Sequence, residues 1–181
     1  KVKAMTPEDF AELRTPPSVF FPHEQVSNSP GNAVWDTTGG AFGPFEGQVF
    51  VPELTQSNLL RVMLEKVDGH WQGAVTVFLR GFQSGNIRAD FGPDGALLVG
   101  QTSRGWGARG GKPYGLQKVV WDGETTPFAV HEVRLLEDGF EVEFTRPIAR
   151  DAFSPDALHV SSWWYHYHRE YGSPKVDERE V

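Results

Sequence analysis

Cysteine is missing from all 181 residues. That one absence removes disulfide staples, thiolate nucleophiles, thiolate zinc sites and thioether-attached haem, so no haem is expected. It leaves the redox compartment open, because periplasmic proteins also do without cysteine. Positive charge is in short supply as well: 17 Lys and Arg stand against 24 Asp and Glu, a formal net charge of −7. A surface of that sign repels phosphate backbones and anionic headgroups, so nucleic acid is not an expected partner. No apolar run approaches the roughly 18 residues of a spanning helix, and membrane insertion is not expected. The opening "KVKAMTPEDF" carries no apolar signal-peptide core, and it starts on Lys1 rather than Met, which fits trimming ahead of residue 1.

Several catalytic signatures are absent too. There is no G-x-S-x-G elbow, no phosphate-binding P-loop and no HExxH helix. The run "GWGARGG" (105–111) has dinucleotide-loop glycines, but it leads into a strand and not a helix. It therefore fails the context that gives such glycines their phosphate-binding role.

What the chain does have is apolar and aromatic mass. At 39% hydrophobic and 13% aromatic residues it can build a core, which argues against wholesale disorder. Residues 1–16 read as a short helical segment, with Thr6 as cap, Pro7 at the first position and acids early in "EDFAELR". After "TPPS" (15–18) five apolar runs follow: "QVFV" (48–51), "NLLRVMLEKV" (58–67), "AVTVFL" (74–79), "ALLVGQ" (96–101) and "LQKVVW" (116–121). Turn signals such as "VDGHWQG" and "GPDG" separate them. The spacing is too tight for intervening helices and predicts antiparallel, meander-like strands in an all-β fold.

A composition shift falls near "WDGETTP" (121–127). Beyond it "VHEVRLLEDGFEVEF" alternates about an Asp138-Gly139 turn, a hairpin signal. Residues 125–181 accordingly read as the start of a second, sandwich-like β unit.

Four places carry candidate chemistry. The connection "SRGWGARGGKPYG" (103–115) holds five glycines with Arg104, Arg109, Lys112, Trp106 and Tyr114, far more than a turn between strands needs. Aromatic faces stack on sugar rings while charged groups bond hydroxyls, so this loop and Gln101 before it are candidate sugar ligands. The same composition also suits a loop packed against its neighbours with Trp106 as the plug. Arg88 sits on a strand, either facing a ligand or ion-paired to an acid such as Asp90. Alternation along "WWYHYH" (163–168) puts His166 and His168 on one strand face, a possible copper or zinc pair or else part of an aromatic seal. Asp36, Thr37 and Thr38 offer calcium-type oxygens or a structured turn.

The stretch "FGPDGALLVGQTSRGWGARGGKPYGLQKVVW", with "WDTTGGAFGPFEGQVFV" before it and "YHYHREYGSPKVD" after it, resembles the glucose/sorbosone dehydrogenase-like β-propeller proteins. The similarity is to the large secreted relatives of Planctomycetes-type bacteria and runs from about Pro16 to Asp177. It implies a partial β-propeller of about two to three antiparallel blades over 17–124, followed by an immunoglobulin-like β unit over 125–181. Characterised members oxidise sugars with pyrroloquinoline quinone and calcium, so the resemblance implies those cofactors and a periplasmic or extracellular location. In such enzymes a Lys and two Arg hold the quinone carboxylates. The matching positions here are Thr55, Asn86 and Arg88, one cation where the family has three. The family's catalytic His lies in blades upstream of this segment. A non-catalytic carbohydrate- or protein-binding module is the alternative. Because propellers close with four to eight blades, an arc this short leaves bare edges. The expected partners are therefore a carbohydrate and another protein chain or a second copy.

Overall fold

The computed structural model describes residues 6, 9, 12, 13, 15–149, 154, 158–165, 172 and 174–181. The chain divides into two compact units, Ser18–Pro147 and a unit formed by Lys1–Pro17 with Ile148–Val181. It is all-β, and every strand pair is antiparallel.

The first sheet of the larger unit is a meander in chain order. It comprises β1 (Val34–Trp35), β2 (Val49–Glu53), β3 (Asn58–Val67) and β4 (His70–Leu79). The "VDGH" signal makes the tight β3–β4 turn: Val67 faces His70, and Asp68 and Gly69 both take positive φ, 48° and 86°. A two-residue turn of that hand matches strand twist and favours Asp-Gly.

Period-two alternation then fills both faces of this sheet. Val49, Val51, Leu60 and Val62 point to one side, under Val19, Phe21 and Val26 of the preceding segment. Phe50 and Leu59 point to the other, into a cluster with Phe42, Phe45 and Phe82. Leu59 pairs with Leu79 but Leu60 with Val77, so Phe78 is the extra residue of a bulge. That irregularity lets consecutive Phe78 and Leu79 both pack on the same cluster.

The second sheet is β5 (Asn86–Phe91), β6 (Leu97–Thr102) and β7 (Tyr114–Val119). Its inner face gives Ala89, Leu97 and Val99 to the same cluster as Phe50 and Leu59. Two blade-like sheets thus share one core. The outer face is different. Register places Arg88, Gly100 and Leu116 in one row, Thr102 and Tyr114 in the next, and Leu98 with Lys118 beyond. Leu116 is 71% exposed and Tyr114 75%. The first sheet is covered on both sides and the second on one.

The unit also contains the hairpin β8 (Val130–Leu136) and β9 (Gly139–Phe144). Leu136 pairs with Gly139, so the turn is Glu137-Asp138, one residue earlier than the sequence suggested. Gly139 is spent as the closing strand pair. Arg134 bridges Glu132, Glu141 and Glu143 along this ribbon.

The smaller unit has β10 (Ser161–Trp164) paired with β11 (Val176–Glu180). Trp164 Nε1 donates to Asp177 at 2.9 Å, and Lys175 Nζ lies 4.0 Å over the Trp163 ring. Asp9, Glu12 and Leu13 are helical, and Thr6 and Asp9 cap one another, Asp9 N–H to Thr6 Oγ1 at 3.2 Å and Thr6 N–H to Asp9 Oδ2 at 2.8 Å. Thr15 and Pro16, at the end of the expected 1–16 helix, are not helical; its other residues, and His166 and His168, lie outside the described residues. Among the described residues no helix is long and apolar enough to cross a membrane.

Candidate functional site

The loop between β6 and β7 is folded, and its fastening is through backbone. Ser103 N–H donates to Pro113 O at 3.0 Å and closes the loop neck. Trp106 N–H donates to Ser103 O at 3.2 Å. Further out, Arg109 N–H reaches Thr55 O at 2.9 Å, Gly110 N–H reaches Ser57 Oγ at 2.9 Å, and Lys112 N–H reaches Gln83 O at 2.9 Å. Gly110 is required at its place: a Cβ there would lie 2.4 Å from the carbonyl oxygen of Phe82. The loop therefore lies flat on the β2–β3 turn and on the chain entering β5.

With the backbone spent inward, the side chains turn outward. Trp106 is 72% exposed, and Arg104, Arg109 and Lys112 are exposed as well. This resolves the two sequence readings into a third. The loop is packed, but Trp106 is not its plug. Gly110, with no side chain, takes the place packed against the Phe82–Gln83 backbone.

Arg88 and Tyr114 share the outer face of the second sheet, because Arg88 pairs with Gly100 and Tyr114 with Thr102, two residues on. Arg88 Nη1 donates to the Ile87 carbonyl at 2.9 Å, and Asp90 Oδ1 accepts the Phe91 N–H. Among the described residues no ion pair joins Arg88 to Asp90. Thr55 is half-buried, its hydroxyl 3.5 Å from Ser29 Oγ, and its carbonyl anchors Arg109.

Gln101 is placed differently from the loop side chains. It is buried, and its Nε2 donates to Asn86 Oδ1 at 3.0 Å and Gln117 Oε1 at 2.8 Å. Asn86 in turn donates to Asn58 O at 2.8 Å. This amide chain stitches the ends of the two sheets beneath the loop. Arg104, Trp106, Arg109, Lys112 and Tyr114 stand on its outside, with Arg88 on the adjoining sheet face.

Asp36 forms a structured turn. Its Oδ1 accepts Thr38 Oγ1 at 2.7 Å and Thr38 N–H at 3.0 Å. Among the described residues no group of three or more His, Asp or Glu side chains converges as a metal site.

Two residues with buried charge carried no sequence signal. Glu53, fully buried, accepts four donors from residues 27–29 and Gln56. Arg61, 1% exposed, lies 4.2 Å over the Phe45 ring. Both sit in strands that read as apolar, and their main partners are distant in sequence.

No family model matches the chain, and no curated protein matches it. A solved structure with which it shares similarity is a Thermus thermophilus protein named as an oxidoreductase (glucose dehydrogenase). The two are 32% identical over 50% of this chain, with a TM-score of 0.36. The chain spans about a quarter of that protein's length, 25%.

Proposed function

We propose that the chain is the C-terminal portion of a sugar dehydrogenase-like propeller protein, supplying a sugar-facing rim loop to a pocket completed by other blades. The observation that carries this reading is the loop of 103–115: a backbone pinned inward at Thr55, Ser57 and Gln83, with a Trp, a Tyr and three cations turned to solvent. A preorganised loop of that composition holds hydroxyl-rich rings by stacking and charge-assisted hydrogen bonds at little cost in ordering. The cations favour a sugar that carries acid groups.

Pyrroloquinoline quinone and calcium do not fit the residues present. Arg88 is the single cation at the family's three positions, and it is exposed and bonded to the adjacent carbonyl. Thr55 brings a hydroxyl where a tricarboxylate needs charge. Quinone and calcium therefore belong to parts of the pocket outside this chain, and this chain alone is inactive in dye reduction. A periplasmic or extracellular location goes with the same reading and is checked by cell fractionation.

The second reading, a non-catalytic carbohydrate- or protein-binding module, is favoured by the bare outer face of the second sheet, with Leu98, Tyr114 and Leu116 exposed. On either reading the part of that face around Leu98 and Leu116 is covered in the native particle by another sheet, from a second chain or a second copy, and Tyr114 at the loop stays open.

Titration of the native particle with a panel of neutral and uronic-acid oligosaccharides tests the loop. Binding that Trp106→Ala weakens at least about tenfold supports it. Binding that Trp106→Ala leaves unchanged removes the loop from the site. Quinone-dependent dye reduction by the isolated chain would overturn the division of labour.

A further inference from the structure

Arg61 on β3 is a buried cation with no anion beside it among the described residues. Its Nη1 donates to Gln48 Oε1 and, at 3.3 Å, to His131 O, and its Nη2 donates to Val130 O. All three acceptors are neutral. Its Nε is buried and has no hydrogen-bond partner, and among the described residues no carboxylate pairs with it. Burial pushes its pKa down to about 10, so it remains charged at neutral pH. A buried charge lacking its counter-ion is strongly unfavourable, and a guanidinium is shaped to receive a carboxylate edge-on.

The side chain lies on the wall of a cavity of about 550 Å³ within the larger unit. The other walls are mainly apolar, with Phe42, Phe45, Phe78, Trp121 and Phe128 as the aromatic part. The lining has one acid, Asp122, already engaged by the N–H groups of Glu124 at 3.0 Å and Thr125 at 2.7 Å. Thr76 and Thr125 add hydroxyls, and Val120, 65% exposed, also lines it. A cavity of a few hundred Å³ with apolar walls and one convergent polar group has the form of a small-molecule site.

We propose that this cavity binds an aromatic monocarboxylate, its ring between the Phe and Trp walls and its carboxylate on Arg61. Tethering the β8 backbone explains the two carbonyl acceptors, Val130 and His131, since an amide donor would serve there equally. It does not explain a full charge, stacked at 4.2 Å over the Phe45 ring, on a side chain that lines a cavity and keeps an unused Nε–H. A carboxylate ligand accounts for both. The site is separate from the 103–115 loop and stands whether or not that loop binds sugar.

Calorimetric titration of the chain with naphthoate and with the neutral, equally shaped naphthamide tests the assignment. Naphthoate binds at least about tenfold tighter than naphthamide, and Arg61→Met, close in volume, removes that preference while naphthamide affinity holds. Should Arg61→Met fail to fold, Val120→Asp serves instead, lowering naphthoate affinity and sparing naphthamide. Equal affinity for the two probes, no binding of naphthoate, or a preference that survives in Arg61→Met or Val120→Asp overturns the proposal.

Discussion

The carboxylate of Glu53 accepts the backbone N–H of Ser29 at 2.7 Å, across 24 residues of chain. The same carboxylate takes Asn28 N–H at 2.8 Å, the Ser27 hydroxyl at 3.4 Å and the Gln56 N–H. Four donors and, among the described residues, no cation meet this fully buried carboxylate, so Glu53 is the clasp that holds the entering segment along the first sheet. Glu53→Ala leaves these N–H groups buried without acceptors, and a loss of about 3 kcal/mol is expected in urea unfolding. Glu53→Gln keeps an acceptor oxygen and loses about 1 kcal/mol. Equal effects of the two would show that volume and not hydrogen bonding sets the role.

Phe50 is the hub of the shared core. Its ring centroid lies 5.3 Å from Phe42 and 5.0 Å from Phe78, both in edge-on contact. Phe50→Ala opens a cavity between the two sheets and costs about 4 kcal/mol. Phe50→Leu, measured by the same thermal or urea unfolding, costs clearly less.

The pinned loop depends on a missing side chain. Gly110→Ala forces a Cβ against the Phe82 carbonyl at 2.4 Å, so the loop lifts or the Gln83 chain shifts. A loss of about 2 kcal/mol is expected, with faster amide exchange at Arg109 and Lys112. Unchanged exchange at those two amides would contradict the fastening.

Acid weakens the β8–β9 ribbon. Hydrogen bonds from Arg134 first, and then from His131, hold the Glu143 carboxyl below its usual range. A carboxylate with a lower pKa folded than unfolded favours the fold above the ordinary carboxylate range and loses that contribution as pH falls through its folded value. Asp94, bonded to Lys118, behaves alike on the second sheet. Exchange protection in β8 and β9 is expected to drop between neutral pH and about pH 3, with the drop reduced in high salt because these pairs face water. Protection independent of pH would show that the ion pairs are idle.

The strands were legible where apolar runs and Gly-containing turns coincide. The run 58–67 is β3 to the residue, and Asp68-Gly69 makes its turn. β5 was not among those runs. Its alternation is broken by Asn86, Arg88 and Asp90, and the register shift between Asn86 and Arg88 disturbs the period. Asp138-Gly139 resembles a turn pair, but Gly139 closes the ladder opposite Leu136, so the β8–β9 turn falls one residue earlier.

The loop's composition was plain in the sequence, but its posture was not. Whether Trp106 points in or out depends on contacts with Thr55, Ser57 and Gln83 far along the chain. Glu53 and Arg61 were invisible as buried charges for the same reason: a strand residue's burial is set by whatever lies across the sheet.

The proposed assembly rests on the uncovered face of the second sheet, where Leu98, Tyr114 and Leu116 face outward. Native mass measured on the particle purified from its source, in mild detergent-free buffer, tests it most directly. A particle well above the 20.2 kDa of this chain is expected, in which Leu98 and Leu116 are shielded from solvent. A stable 20.2 kDa monomer with that face open to water would contradict it.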